Sequence, residues 1–163
     1  YGKVTASSVG MARVLLGAGG ASRGVIGPLL DAGVAKLVLA NRTLSKAQAI
    51  AANFDHRVLA CGYGNIPDQP YPLVINATSS GLSGERPDID PRHVAHCQLA
   101  YDMLYAAKPT PFLNWARQQG VPQRADGLGM LVAQAAEAFY IWRGKLPDVT
   151  PVLALLQQQL KTP

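Results

Sequence analysis

The stretch Val14-Leu15-Leu16-Gly17-Ala18-Gly19-Gly20-Ala21-Ser22-Arg23-Gly24 runs from an apolar, strand-like segment straight into glycines and then into a helical pattern. Glycine at 17 permits a tight turn, and glycine at 19 lets the main chain approach a pyrophosphate. The amides that open the next helix, with its dipole, then receive negative charge. In the G-x-G-x-x-G register the third glycine falls at Ser22, a small residue that still allows close helix–strand packing. A glycine-rich turn with no ligand satisfies the same fingerprint, so its weight comes from its surroundings.

Those surroundings alternate short apolar runs with amphipathic, alanine-rich stretches. Strands are predicted at 13–16, 36–40, 57–60, 73–76, 99–103 and 121–125. Helices are predicted at 21–32, 45–54, 111–119, 128–143 and 151–160, with a short piece over 91–97. This alternation specifies an α/β fold, a Rossmann-like doubly wound parallel sheet with helices on both faces. Gly33 and Gly120 stand where helices end, Gly144 closes the 128–143 helix, and Thr150 precedes Pro151 as an expected N-cap. One domain over 13–163 is expected, with 1–12 as a lead-in or linker. Of two glycine- and proline-rich loops, CGYGNIPDQPYP is expected only to join strands. SSGLSGERPDIDP follows a strand end, where open α/β sheets place ligands, and is the functional candidate.

At 163 residues and 48% hydrophobic content the chain holds enough apolar material for one core. Cys61 and Cys97 lie far apart in sequence and outside any CxxC pattern, which disfavours a disulfide framework or a cysteine zinc site and fits a reducing, cytoplasmic compartment. Gly, Pro or charge interrupts every apolar run short of the roughly 20 residues of a membrane span. The net charge of +5 carries no basic run and only 7% aromatic residues, so an anionic small ligand is expected rather than nucleic acid. His56, His93 and His96 lack the spacing of a metal set, and no GxSxG elbow supports a serine nucleophile.

The second predicted strand ends in LANRTLSKA, at the distance where an NAD site carries an acidic residue for the ribose 2′-hydroxyl. Asn41, Arg42, Thr43 and Lys46 stand there instead, and their donors suit a 2′-phosphate, which points to NADP. A solvated helix start capped by Thr43 or Ser45 is the alternative. VINATSSG at 74–81 ends a strand in hydrogen-bonding side chains, Thr78 and Ser79 among them. In YDMLY, Met103 is placed to lie against a nicotinamide face or simply to pack in the core. In ADGLGMLVAQAAEAF, Gly127 marks the helix entry and Gln134 shares a face with Met130; spacing alone makes Gln134 a surface residue.

Taken in order, GAGGASRG, NRTxxKA, INATSSG, YDMLY and ADGLGMLVAQAA resemble the NADP-binding domain of the shikimate dehydrogenases, over nearly everything from 13 to 160. The resemblance implies one domain of a two-domain enzyme that interconverts 3-dehydroshikimate and shikimate in aromatic biosynthesis. It assigns Gly17, Gly19, Gly20 and Ala21 to the pyrophosphate loop, and Asn41, Arg42, Thr43 and Lys46 to the 2′-phosphate. Lys46 stands where the family often has arginine, keeping the charge but losing the planar fork. Thr78, Ser79 and Met103 match positions beside the nicotinamide, and Gly127 a main-chain contact to it. Tyr105 and Gln134 match residues that reach substrate, which replaces the surface reading of Gln134.

In the family a substrate domain precedes the glycine loop and supplies an NVTxPxK-type lysine and an NTD-type aspartate for the proton of the alcohol. Neither motif occurs here, so the chain is expected to be a cofactor domain without its catalytic partner, binding NADP but turning over shikimate poorly. The competing readings are a stand-alone NADPH-binding regulatory module and the domain of an NAD-using quinate/shikimate dehydrogenase; Arg42 and Lys46 argue against NAD.

Overall fold

The computed structural model describes residues 11–161. Six strands, β1 (Ala12–Leu16), β2 (Lys36–Ala40), β3 (Val58–Cys61), β4 (Leu73–Asn76), β5 (Leu99–Asp102) and β6 (Gln123–Ala125), form one sheet in the order β3-β2-β1-β4-β5-β6. Every neighbouring pair is parallel. The helices are α1 (Gly20–Asp31), α2 (Leu44–Ala51), α3 (Pro111–Gln118), α4 (Leu128–Arg143) and α5 (Val149–Lys161). This is the expected Rossmann-like architecture. The chain leaves β1 toward β2 on one side and reaches β4 on the other, which opens a crevice at the carboxyl edge between them.

Strands buried on both faces split their side chains by period two. Val14, Leu16, Val38, Ala40 and Val74 join Phe112, Leu113, Trp115 and Ala116 of α3 in one layer. Leu15, Leu37, Leu39 and Ile75 meet Ile26 and Leu30 of α1 and Ala47 and Ile50 of α2 in the other. Burying a leucine or isoleucine in such a layer stabilises by about 1.5–3 kcal/mol, so the alternation itself selects the two-sided arrangement.

Local chemistry moved several boundaries. Asp55 Oδ1 accepts from the Arg57 N–H at 2.9 Å, holding Arg57 in a turn, so β3 is Val58–Cys61 rather than 57–60. Val121 N–H donates to the Ala116 carbonyl and Pro122 has no N–H, so β6 begins only at Gln123. Helix α5 begins at Val149, and the Thr150 N–H donates to Asp148 Oδ1 at 2.9 Å; Asp148, not Thr150, makes the capping bond. The 91–97 piece is a 3₁₀ turn, Pro91–Val94, capped by Asp90. The three helix-closing glycines adopt positive φ as expected: 88° at Gly33, 81° at Gly120 and 66° at Gly144. Most of the expected 1–12 lead-in lies outside the described residues, and Ala12 already belongs to β1.

Candidate functional site

At the crevice between β1 and β4 lies an open cleft of about 1430 Å³, whose lining includes Gly17, Gly19, Gly20, Ala21, Asn41, Arg42, Thr43, Lys46, Thr78 and Ser79. Ten of the fourteen predicted site residues therefore converge there. Gly17 makes the turn with φ of 103°, and a Cβ on it would stand 3.0 Å from Thr78 Cγ2 and 3.1 Å from the Ala77 carbonyl oxygen. Beyond it, Gly19 and Gly20 have open space where a Cβ would go. Gly19 is the N-cap of α1, no side chain caps this helix end, and its first turn holds no acidic residue. The opening amides of α1 thus present partial positive charge to the cleft, with no acidic side chain in the helix's own first turn to offset it.

The second part of the lining comes from the end of β2. The Asn41 side-chain amide donates to the Thr43 carbonyl at 2.8 Å, folding the turn that opens α2. Thr43 is the N-cap of α2 but its hydroxyl makes no capping bond, so the hydroxyl remains exposed beside Arg42 and Lys46. The capping alternative for Thr43 is thereby only half realised: its backbone starts the helix while its side chain stays free of that duty. The end of β3 is tied alongside by the Asn41 N–H, which donates to the Cys61 carbonyl at 3.0 Å.

That adjacency overturns one expectation. The loop after β3 does more than join strands, because Gly62, Tyr63 and Gly64 line the cleft. Tyr63 is half-buried against the core, and burial pushes its phenol pKa up while the Arg42 charge pulls it back. The loop begins at the carboxyl end of a parallel strand, the same positional signal that marked the 79–91 loop.

The 79–91 loop does border the cleft, together with Arg92 and His93. Arg86 lies with its guanidinium carbon 4.6 Å from the centroid of the core-packed Trp115 ring, and it donates to the Pro87 carbonyl at 2.9 Å. His93 is 2% exposed, stands edge-on to Tyr71, and its Nδ1 has no hydrogen-bond partner among the described residues. Burial, followed by the Arg92 charge, lowers its pKa.

Met103, Tyr105, Gly127 and Gln134 are not among the residues lining the cleft. Two of them meet each other at the ends of β5 and α4, where a Cβ on Gly127 would fall 2.0 Å from the Met103 carbonyl oxygen. Gly127 is thus required by main-chain packing whatever else it contacts. Tyr105 and Gln134 are both exposed. Among the described residues no cluster of three or more His, Cys, Asp or Glu could hold a metal, and no helix is long and apolar enough to cross a membrane.

Residues 3–97, more than half of the chain, match the family described as shikimate/quinate 5-dehydrogenase. The chain belongs to that family. Residues 127–157 match the shikimate 5′-dehydrogenase C-terminal domain. A protein from Cellvibrio japonicus named shikimate dehydrogenase (NADP(+)) is 52% identical over 149 residues, covering 90% of this chain and 54% of that protein. A solved structure of an Ael1 enzyme from Pseudomonas putida superposes with a TM-score of 0.83 at 44% identity, covering 92% of this chain and 54% of the other. Shikimate 5-dehydrogenase from Thermus thermophilus, solved in complex with shikimate, gives a TM-score of 0.71 at 31% identity over 93% of this chain and 54% of that one. The chain spans about half the length of the curated family members it matches.

Proposed function

We propose that this chain binds NADP(H) and forms the cofactor half of a cytoplasmic oxidoreductase that interconverts 3-dehydroshikimate and shikimate. The observation that carries the reading is the convergence, in one cleft, of uncapped helix amides with Arg42, Thr43 and Lys46. The fit is one of shape as well as charge, since Gly19 and Gly20 leave open the volume that side chains would fill.

On this reading Gly17, Gly19, Gly20 and Ala21 hold the pyrophosphate, and Asn41, Arg42, Thr43 and Lys46 the 2′-phosphate. Thr78, Ser79 and Met103 flank the nicotinamide half, with Gly127 as a main-chain contact, while Tyr105 and Gln134 reach toward substrate. When bound, NADP(H) supplies or accepts the hydride. The chain's own residues orient the reacting face, and none of them is assigned to the proton of the alcohol. That proton falls to a lysine and an aspartate in a preceding substrate domain, as the sequence resemblance implies. Ile141 and Trp142 of α4, 76% and 80% exposed, and Leu155 of α5, 54% exposed, are large apolar side chains that such a domain would have reason to cover.

Calorimetric titration of the chain with NADP⁺ and NAD⁺ tests the reading. Binding of NADP⁺ at least about tenfold tighter is expected from one or more charge-assisted hydrogen bonds to the extra phosphate. Equal affinities would overturn it.

A further inference from the structure

Asp102 ends β5 with a side chain wholly removed from solvent. A carboxylate in such a place is costly unless donors surround it. Two do, and a third polar group stands beside them. The Leu104 N–H donates to Oδ1 at 3.0 Å, the Thr110 hydroxyl donates to Oδ2 at 2.6 Å, and the buried side chain of Asn76, its register partner on β4, lies near enough to favour the charged carboxylate.

Each of these neighbours leads to a different part of the carboxyl edge. Asn76 Oδ1 accepts from both the N–H and the hydroxyl of Thr78, at 3.1 and 2.7 Å, and that hydroxyl lies 2.7 Å from Ser80 Oγ. The Leu104 carbonyl accepts from the Gly127 N–H at 3.1 Å. Thr110 caps α3, its hydroxyl also accepting from Leu113. Beyond Asn76 and Asp102 the β4–β5 ladder retains one bond, from the Met103 N–H to the Asn76 carbonyl at 2.9 Å. Past that point side chains, not the ladder, set the spacing of the two strand ends.

We propose that Asp102 is a positioning residue for the nicotinamide half of the cofactor: it holds Thr78, through Asn76, at a set distance from Met103 and Gly127, through Leu104. It touches no ligand itself. The inference rests on the cofactor reading above and extends it to a buried residue outside the cleft. A carboxylate serves here because one group accepts from two donors in separate segments while facing Asn76 across the sheet, and charge-assisted bonds are shorter and stronger than neutral ones.

The test compares two ligands on the full 163-residue chain: NADPH, and 2′,5′-ADP, which retains the adenosine and its 2′-phosphate but lacks the nicotinamide. Asp102→Ala is expected to weaken NADPH about fivefold or more while 2′,5′-ADP stays within about twofold. Thr110→Val, which removes one of the two donors, is expected to shift the same ratio less far, and it decides the matter if Asp102→Ala does not fold. An unchanged ratio, whether both affinities fall together or neither moves, would assign Asp102 to stability alone and overturn the proposal. A wild-type chain that binds neither ligand would overturn the cofactor reading along with it.

Discussion

The Ser22 hydroxyl, fully buried, donates a 2.6 Å hydrogen bond to the carbonyl of Gly17. The residue that replaces the third glycine of the fingerprint therefore ties the first turn of α1 back to the start of the loop. A glycine there would allow close packing but could not make that bond. Ser22→Ala is expected to lower stability by about 1–2 kcal/mol, since a buried acceptor loses its donor. Urea unfolding followed by circular dichroism measures the change; a variant as stable as wild type would show that the bond contributes nothing net.

Gly17 and Gly19 separate shape from strain. Gly19 has extended backbone, φ −109° and ψ −168°, and open space beside it, so Gly19→Val should fold normally and lose NADP⁺ binding. Gly17→Val meets both a positive φ and Thr78, and should cost about 1–3 kcal/mol in stability before any ligand is added. Thermal melts and a titration on both variants check the contrast, and undiminished affinity in folded Gly19→Val would remove the glycine loop from the site.

Arg42 is exposed and lines the cleft, where its charge also acts on the Tyr63 phenol. Arg42→Ala should weaken NADP⁺ by about tenfold or more, the loss of one charge-assisted hydrogen bond or somewhat more, and leave NAD⁺ nearly unchanged. Equal losses for both cofactors in calorimetry would make Arg42 a structural residue.

The Asp55–Arg57 pair gives a pH-dependent signature away from the cleft. Hydrogen bonds from the Arg57 side chain and N–H hold the Asp55 carboxyl down to about 2. A depressed carboxyl pKa contributes stability above its unfolded value near 3.9, and that contribution is lost as pH falls toward the folded value. The pair is exposed, so the effect on stability is small and screened by salt. Carbon-detected NMR titration should place the Asp55 midpoint near 2 in the wild type and nearer the ordinary aspartate range in Arg57→Ala. A midpoint that does not move would separate the shift from Arg57.

Apolar period, turn chemistry and charge type are local properties, and they sufficed for the strand–helix order, the glycine loop and the Arg42–Lys46 cluster. Each is written within a few consecutive residues, where propensity and packing pattern agree. What lies opposite the cluster depended on the strand order β3-β2-β1-β4, which places the ends of β2 and β3 side by side and brings Tyr63 near Arg42. No local pattern distinguishes a loop that borders a cleft from one that only joins strands. Two details lay beyond sequence for the same reason. Asp148 makes the α5 capping bond although Thr150 stands before the proline, and Gly127 is required by the Met103 carbonyl 24 residues away, because close approach is decided by which main chains the folded sheet brings together.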